Sequence, residues 1–131
     1  MDNYNDMQPL DIPFLKTLGV SLGEIADSHA EMVVTIDDRH MNYMGTAHGG
    51  LISALIDTVC FFPRALIPSG LKLTTVDLNV SYVKAARKAD TLVARSELLH
   101  LGRRTARLSV KVVDQDHSLV AHGIATLMVL S

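Results

Sequence analysis

The stretch from about His48 to Phe62 constrains the fold more than any other. Leu51, Ile52, Ala54, Leu55, Ile56, Val59, Cys60, Phe61 and Phe62 lie nearly all round one predicted helix, the mark of a helix buried on most sides. Pro63 ends it, because proline cannot continue the helical ladder. Ser53, Asp57, Thr58, Pro63 and Arg64 interrupt the run from Leu51 to Leu66, so it is not a membrane span. Its cover must come from the rest of the chain.

That cover reads as strands. Val20 to Ile36 is strand-like, with Ala30, Met32, Val34 and Ile36 alternating against Glu31, Val33, Thr35 and Asp37. After a turn at Ile67-Pro68-Ser69-Gly70, residues 72–83 alternate Val76, Leu78, Val80 and Tyr82 against Thr75, Asp77, Asn79 and Ser81. Residues 91–100, 104–113 and 118–130 supply three more strands, the last apolar on both faces in places and therefore central or interfacial. Residues 84–90, 101–103 and 114–117 are the turns between them. Ahead of all this, Asp11 to Gly19 reads as a short helix, with Asp11 or Ile12 at the cap, Pro13 in the first turn and Gly19 as the stop. The expectation is an α+β fold: one strand, a buried helix, then four antiparallel strands, the sheet wrapped on the helix. It forms one domain over residues 1–131, with 1–10 as a tail.

Composition narrows the function. The chain has 131 residues, 12 Lys+Arg against 14 Asp+Glu, and a formal charge of −2. That balance lacks the basic excess a nucleic-acid partner requires. A single cysteine, Cys60, excludes internal disulfides and multi-cysteine metal sites. The acidic, polar start Met1-Asp2-Asn3-Tyr4-Asn5-Asp6 is unlike a signal peptide. A cytoplasmic protein without metal, membrane or nucleic-acid partner is expected. Apolar residues reach 48% while aromatics are 5%, which leaves apolar surface that self-association would cover.

Two places on the helix carry potential chemistry. Asp57 is its one charge, with Ser53 a turn earlier and Gly50 two turns earlier. A carboxylate there is either a structural group bonded to a neighbouring strand or a base or nucleophile in a cleft. At the start, Gly45-Thr46-Ala47-His48-Gly49-Gly50 opens the helix with two glycines. Either this is a turn into a packed helix, or its free N–H groups face a carbonyl oxygen as an oxyanion hole, with His48 capping, orienting or touching substrate. His48 and Asp57 are nine positions apart, roughly 13 Å along a helix. Both can act on one carbonyl only if two subunits share the site. Elsewhere, Arg103-Arg104 with Arg107, and Lys84 with Arg87 and Lys88, are basic clusters suited to phosphates or to solvated turns. The six histidines show no metal spacing, and His122 reads as a core or interface residue. Cys60 reads as a buried, inert thiol.

At these residues the sequence resembles the hotdog-fold acyl-CoA thioesterases of the phenylacetate-pathway (PaaI-like) type. The likeness runs through His40-x-Asn42-x-x-Gly45-Thr46-x-His48-Gly49-Gly50, Leu55-x-Asp57, Thr75-Val76-Asp77-Leu78-Asn79-Val80-x-Tyr82, Ala86-x-x-x-Asp90-Thr91-Leu92 and His100-x-Gly102-Arg103-Arg104-Thr105. It implies a long helix wrapped by an antiparallel sheet, dimers joined sheet edge to sheet edge, and a homotetramer of two dimers. It further implies that the Gly49 N–H, with Gly50 beside it, polarises the thioester carbonyl while Asp57 of the partner acts as base or nucleophile. Asn42 and His48 would shape the site, Thr75 would position water, and Arg103 and Arg104 would meet the phosphates of CoA. Coenzyme A is then part of the substrate and no cofactor is required. The sequence departs from the pattern at Tyr43, at Ala89 where glycine commonly stands, and at Cys60-Phe61-Phe62-Pro63-Arg64, which borders the expected acyl pocket. Two other functions fit the same fold: a hydratase or dehydratase pairing a His with an acid, and a non-catalytic acyl-CoA-binding module.

Overall fold

A proline and a glycine bound the first element, α1 (Pro13–Leu18): Pro13 opens it, Ile12 stands at the N-cap, and Gly19 ends it at φ +71°. The computed structural model describes residues 12–66 and 72–130. The 1–10 tail, Asp11 and the Ile67–Gly70 turn expected from the sequence lie outside the described residues.

The strand-like stretch 20–36 is a hairpin rather than one strand. β1 (Ser21–Ile25) and β2 (His29–Thr35) pair antiparallel, and the Ala26 N–H closes the turn on the His29 carbonyl at 2.9 Å. α2 (Gly49–Val59) follows, then β3 (Leu73–Tyr82), β4 (Thr91–Leu101), β5 (Thr105–Val113) and β6 (Leu119–Val129). The six strands form one antiparallel sheet in the order β1-β2-β4-β5-β6-β3, so β1 and β3 are its edges. β6 is an inner strand, as its two apolar faces suggest. This is the hotdog arrangement of an antiparallel sheet around one main helix.

α2 is shorter than the pattern from His48 to Phe62 predicts, and Pro63 explains why. The Val59 carbonyl would receive the N–H of residue 63 in a continuing helix, but proline has none. The Ser96 hydroxyl on β4 donates to that carbonyl instead, at 2.9 Å. Residues 60–62 then close tighter turns, with the Phe61 N–H on Thr58 and the Phe62 N–H on Val59. The helix is also less uniformly buried than its composition suggests. Leu51, Ile52, Leu55, Ile56 and Val59 face the core, while Ser53, Ala54, Asp57 and Thr58 are half-buried. Each of Leu55, Ile56 and Val59 is fully buried and contributes about 1.5–3 kcal/mol.

β3 carries the second departure. Thr75 pairs with Leu127 but Asp77 pairs with Thr126, so Val76 is an extra residue in a β-bulge. Strict alternation places Thr75 on the face opposite Leu78 and Val80. The bulge shifts the phase by one residue, so Thr75, Leu78 and Val80 are all half-buried on the helix side while Val76 is 50% exposed.

Candidate active site

α2 and β3 meet along the polar stripe of the helix. Ser53 bonds the Tyr82 hydroxyl at 2.5 Å, and one turn later the Thr75 hydroxyl donates to Asp57 Oδ1 at 2.6 Å. As the helix advances from Ser53 to Asp57 the strand retreats from Tyr82 to Thr75, so the two run antiparallel. Asp57 is half-buried, and Thr75 is its only side-chain donor among the described residues. A carboxylate satisfied at one oxygen keeps the other available for a water or a reacting group. Its charge also reaches Cys60: burial first, and then Asp57, push the thiol up to about 12. Cys60 is fully buried and its thiol faces the Ile56 carbonyl, the inert placement expected of it.

The opposite end of α2 is a prepared opening. His48 is the N-cap, its Nδ1 accepting from the Gly50 N–H at 2.7 Å. An accepting Nδ1 leaves Nε2 as the nitrogen that carries the ring hydrogen. The Gly50 N–H is spent on this cap. The Gly49 N–H has no acceptor among the described residues, which leaves it as the donor of the helix start. Of the roles open to His48 from the sequence, capping is the one realised within the chain.

The loop before α2 is held from within. Asn42 Oδ1 accepts from the backbone of Met44 and Thr46 at 2.9 and 3.0 Å, and its Nδ2 donates to the Thr46 hydroxyl. Gly45 takes φ +78° at the tip. His40, buried beneath, is a structural knot: Nε2 donates to the Leu18 carbonyl, Nδ1 accepts from Asp37, and its own carbonyl accepts from His48.

Asn42, Gly49 and Gly50 line a cavity of about 500 Å³ with Met44, Ile52 and Lys84. His48 lines a smaller one of about 180 Å³ with Phe14, Leu18 and Leu51. Asp57 and Thr75 line neither. Gly49 and Asp57 are eight positions apart, about 12 Å of helix, so one chain does not bring donor and acid together. Arg103 and Arg104 are exposed at the β4–β5 turn. The Arg104 carbonyl receives the N–H of Val129, which pairs with Leu73, so this turn stands at the Asp57–Thr75 end of the sheet.

The second basic cluster is largely committed. Lys84 bonds Asp114 Oδ2 at 2.8 Å and Lys88 bonds Asp38 at 2.8 Å. That Lys84 contact, with the backbone N–H groups of Ser118 and Asp116, holds the Asp114 carboxyl below the usual carboxylate range. His122 is exposed on the outer face of the sheet rather than in the core. The alternating pattern of β6 places it there, between buried Ala121 and Gly123. Among the described residues no three His, Cys, Asp or Glu side chains gather as metal ligands. Sequence reasoning assigned Tyr82 to an apolar face and missed that its hydroxyl bonds the helix start. The signal was its place at the strand end, facing a glycine pair.

The fold is shared with known proteins. A putative esterase of Archaeoglobus fulgidus is 28% identical over 104 residues, 79% of this chain and 66% of that protein, so the chain spans about two thirds of that relative. Escherichia coli acyl-coenzyme A thioesterase PaaI is 26% identical over 106 residues, 81% of this chain and 74% of that protein. Its solved structure matches in fold with a TM-score of 0.84 at 21% identity, over 91% of this chain and 85% of that one. A hypothetical thioesterase protein from Streptococcus pneumoniae, solved with coenzyme A, has a TM-score of 0.79 at 26% identity and covers 86% of both chains. The family model of the thioesterase superfamily matches residues 44–121, more than half of the chain and including Gly49, Asp57, Thr75 and Tyr82. With that match on this sheet and helix, the chain belongs to the thioesterase superfamily.

Proposed function

We propose that the protein is an acyl-CoA thioesterase, cleaving an acyl-CoA thioester into free acid and CoA at sites shared by two copies of the chain. The observation that carries this reading is the Asp57–Thr75 pair, an acid bonded by a single hydroxyl on an edge strand whose outer side is open among the described residues. Antiparallel pairing of β3 with its copy, about an axis through Asn79, sets Thr75 opposite the partner's Tyr82, because the bulge at Val76 leaves Thr75 and Tyr82 each three ladder steps from that axis. Tyr82 lies against Gly49. One such contact therefore delivers Asp57 and Thr75 of one chain to the free Gly49 N–H of the other, twice per dimer.

At the joined site the Gly49 N–H receives the thioester carbonyl oxygen and stabilises the charge that develops on it. Asp57 takes a proton from a water held with Thr75 as that water attacks the carbonyl carbon. The C–S bond breaks, and the CoA thiolate leaves with the proton that Asp57 returns. Direct attack by Asp57 would pass through a mixed anhydride that water then opens. Gly50, His48 and Asn42 hold the opening in shape. Arg103 and Arg104, at the acid's end of the sheet, meet the CoA phosphates. The relatives' names and the coenzyme A held by the Streptococcus pneumoniae protein support this substrate class. A homotetramer built as a dimer of dimers, working in the cytoplasm with no cofactor or metal, completes the reading. His48 favours hydrolysis over dehydration, because its Nδ1 lone pair is spent on the cap and its Nε2 carries the hydrogen. A dehydratase needs that ring as a base.

Free-thiol release from aryl-acetyl, benzoyl, short, medium and long acyl-CoAs tests the proposal, with wild type beside Asp57→Asn. Turnover by wild type and a loss of about 100-fold or more in the variant are expected. Activity retained in Asp57→Asn would reject the residue. Saturable binding with no release would show the non-catalytic module instead.

A further inference from the structure

The peptide joining Gly49 to Gly50 is bonded at both ends by side chains. Its carbonyl, on Gly49, accepts from the Tyr82 hydroxyl at 3.1 Å. Its N–H, on Gly50, donates to His48 Nδ1 at 2.7 Å. With its own hydrogen on Gly49, the Tyr82 oxygen accepts from Ser53 Oγ at 2.5 Å, so the hydroxyl spans the first turn of α2. The ring closes down as well: a Cβ on Gly49 would stand 3.3 Å from three atoms of Tyr82. A side chain at 49 would therefore push the Tyr82 ring back from the helix start.

Two successive glycines have more backbone freedom than any other pair, and a helix end frays readily. An amide that stabilises an oxyanion works only if it is fixed before the charge develops. Here the donor, the Gly49 N–H, belongs to the peptide unit immediately before the clamped one. Holding the Gly49–Gly50 plane fixes ψ of Gly49 and restrains the direction of its N–H.

We infer that Tyr82, seconded by Ser53, is a positioning residue that locks the opening of α2 so that the Gly49 N–H is aimed at the reacting carbonyl. This deepens the thioesterase reading and rests on it. Tyr82→Phe is the discriminating variant, since it keeps the ring against Gly49 and removes only the hydroxyl. No buried group is stranded, because the Gly49 carbonyl retains its place in the helical ladder. The expected result is a fall in kcat of about 10-fold with KM within about 2-fold, since the lost interaction serves the transition state. Ser53→Ala should lower kcat less, and the double variant no further than Tyr82→Phe, because the two act as one device.

Exchange of the Gly49 and Gly50 amide hydrogens, followed by NMR, reads the clamp without any substrate. Faster exchange of the Gly50 amide in Tyr82→Phe, with an unchanged Tm, is expected. Unchanged exchange and unchanged kcat would overturn the inference, as would a loss of activity that follows a fall in Tm. Wild type that releases no thiol from any acyl-CoA would defeat the thioesterase reading alone, and the exchange experiment would still decide the clamp.

Discussion

Ala89 holds a left-handed backbone, φ +76°, in the loop between β3 and β4. Its N–H bonds the Ile36 carbonyl at 2.8 Å, and the next N–H, of Asp90, bonds Arg87. The loop is thus pinned on both sides of a residue whose Cβ resists the conformation. That conformation costs an L-residue about 1–2 kcal/mol. Ala89→Gly relieves the strain and gives back part of it through the looser unfolded chain. We expect a net gain of about 1 kcal/mol, or roughly 4 °C in Tm, measured by thermal unfolding; an unchanged or lower Tm would contradict it. The thiol of Cys60 makes the second expectation at this scale. Fully buried and pushed up to about 12, it stays protonated at any working pH. A thiol-specific disulfide reagent at pH 8 should label it slowly in the folded protein and at once in denaturant. Rapid labelling of the native protein would show the site open.

At the scale of elements, what was legible in the sequence was periodicity, and what was hidden was its interruption. β2, β5 and the inner face of α2 follow from residue patterns because one buried face dictates them. The bulge at Val76 left no mark: Val76, Leu78, Val80 and Tyr82 alternate in the sequence as a regular strand would. Only pairing with β6 reveals the extra residue, and pairing is a non-local fact. Yet the bulge turns Thr75 toward Asp57, so the key contact of the site was the least readable part of the strand. Likewise the Ala26-Asp27-Ser28 turn holds no glycine, so the hairpin it closes does not stand out from the strand-like run around it. Thr75 gives a direct check. Thr75→Ser keeps the hydroxyl and should retain activity within a few-fold, whereas Thr75→Val, equal in shape, should lower kcat about 10-fold. Equal activity in the two would exclude a role for that hydrogen bond.

The tie between the β3–β4 loop and the β5–β6 hairpin is likewise an element-scale device. Lys84 reaches Asp114, which also accepts from Asp116 and Ser118. The Asp114 carboxyl is held lower in the folded chain than the value near 3.9 of an unfolded aspartate. As pH falls, the unfolded chain takes up this proton first, so the stabilisation is full above about pH 5 and is lost as pH drops through the folded value. Urea midpoints measured from pH 6 down to 2.5 should fall for wild type, and Asp114→Asn should show a shallower decline from a lower start. A parallel decline would remove Asp114 from the account.

Over the whole molecule, the proposed site is divided by the fold itself. Gly49 and Asp57 sit about 12 Å apart on one straight helix, and no motion short of breaking α2 joins them. If both groups act on one carbonyl the spacing requires two chains, and we propose that they join at the outer side of β3, an edge of the sheet that carries exposed Val76 and Tyr82. An open apolar edge is a liability unless it is covered, and in the proposed dimer a second copy would cover it while completing both sites. Mixed oligomers test this directly. Asp57→Asn lacks the acid, and Gly49→Pro, tolerated at the first position of a helix, lacks the donor N–H. Each alone should be inactive. In a mixed dimer one site inherits both defects, while the other draws an intact Gly49 from one chain and an intact Asp57 from its partner. With random pairing, half of the dimers are mixed and half of their sites are intact. Co-expression of the two inactive chains should therefore restore about a quarter of wild-type activity. If each chain held a complete site, every chain would still carry a defect, and the mixture would stay inactive.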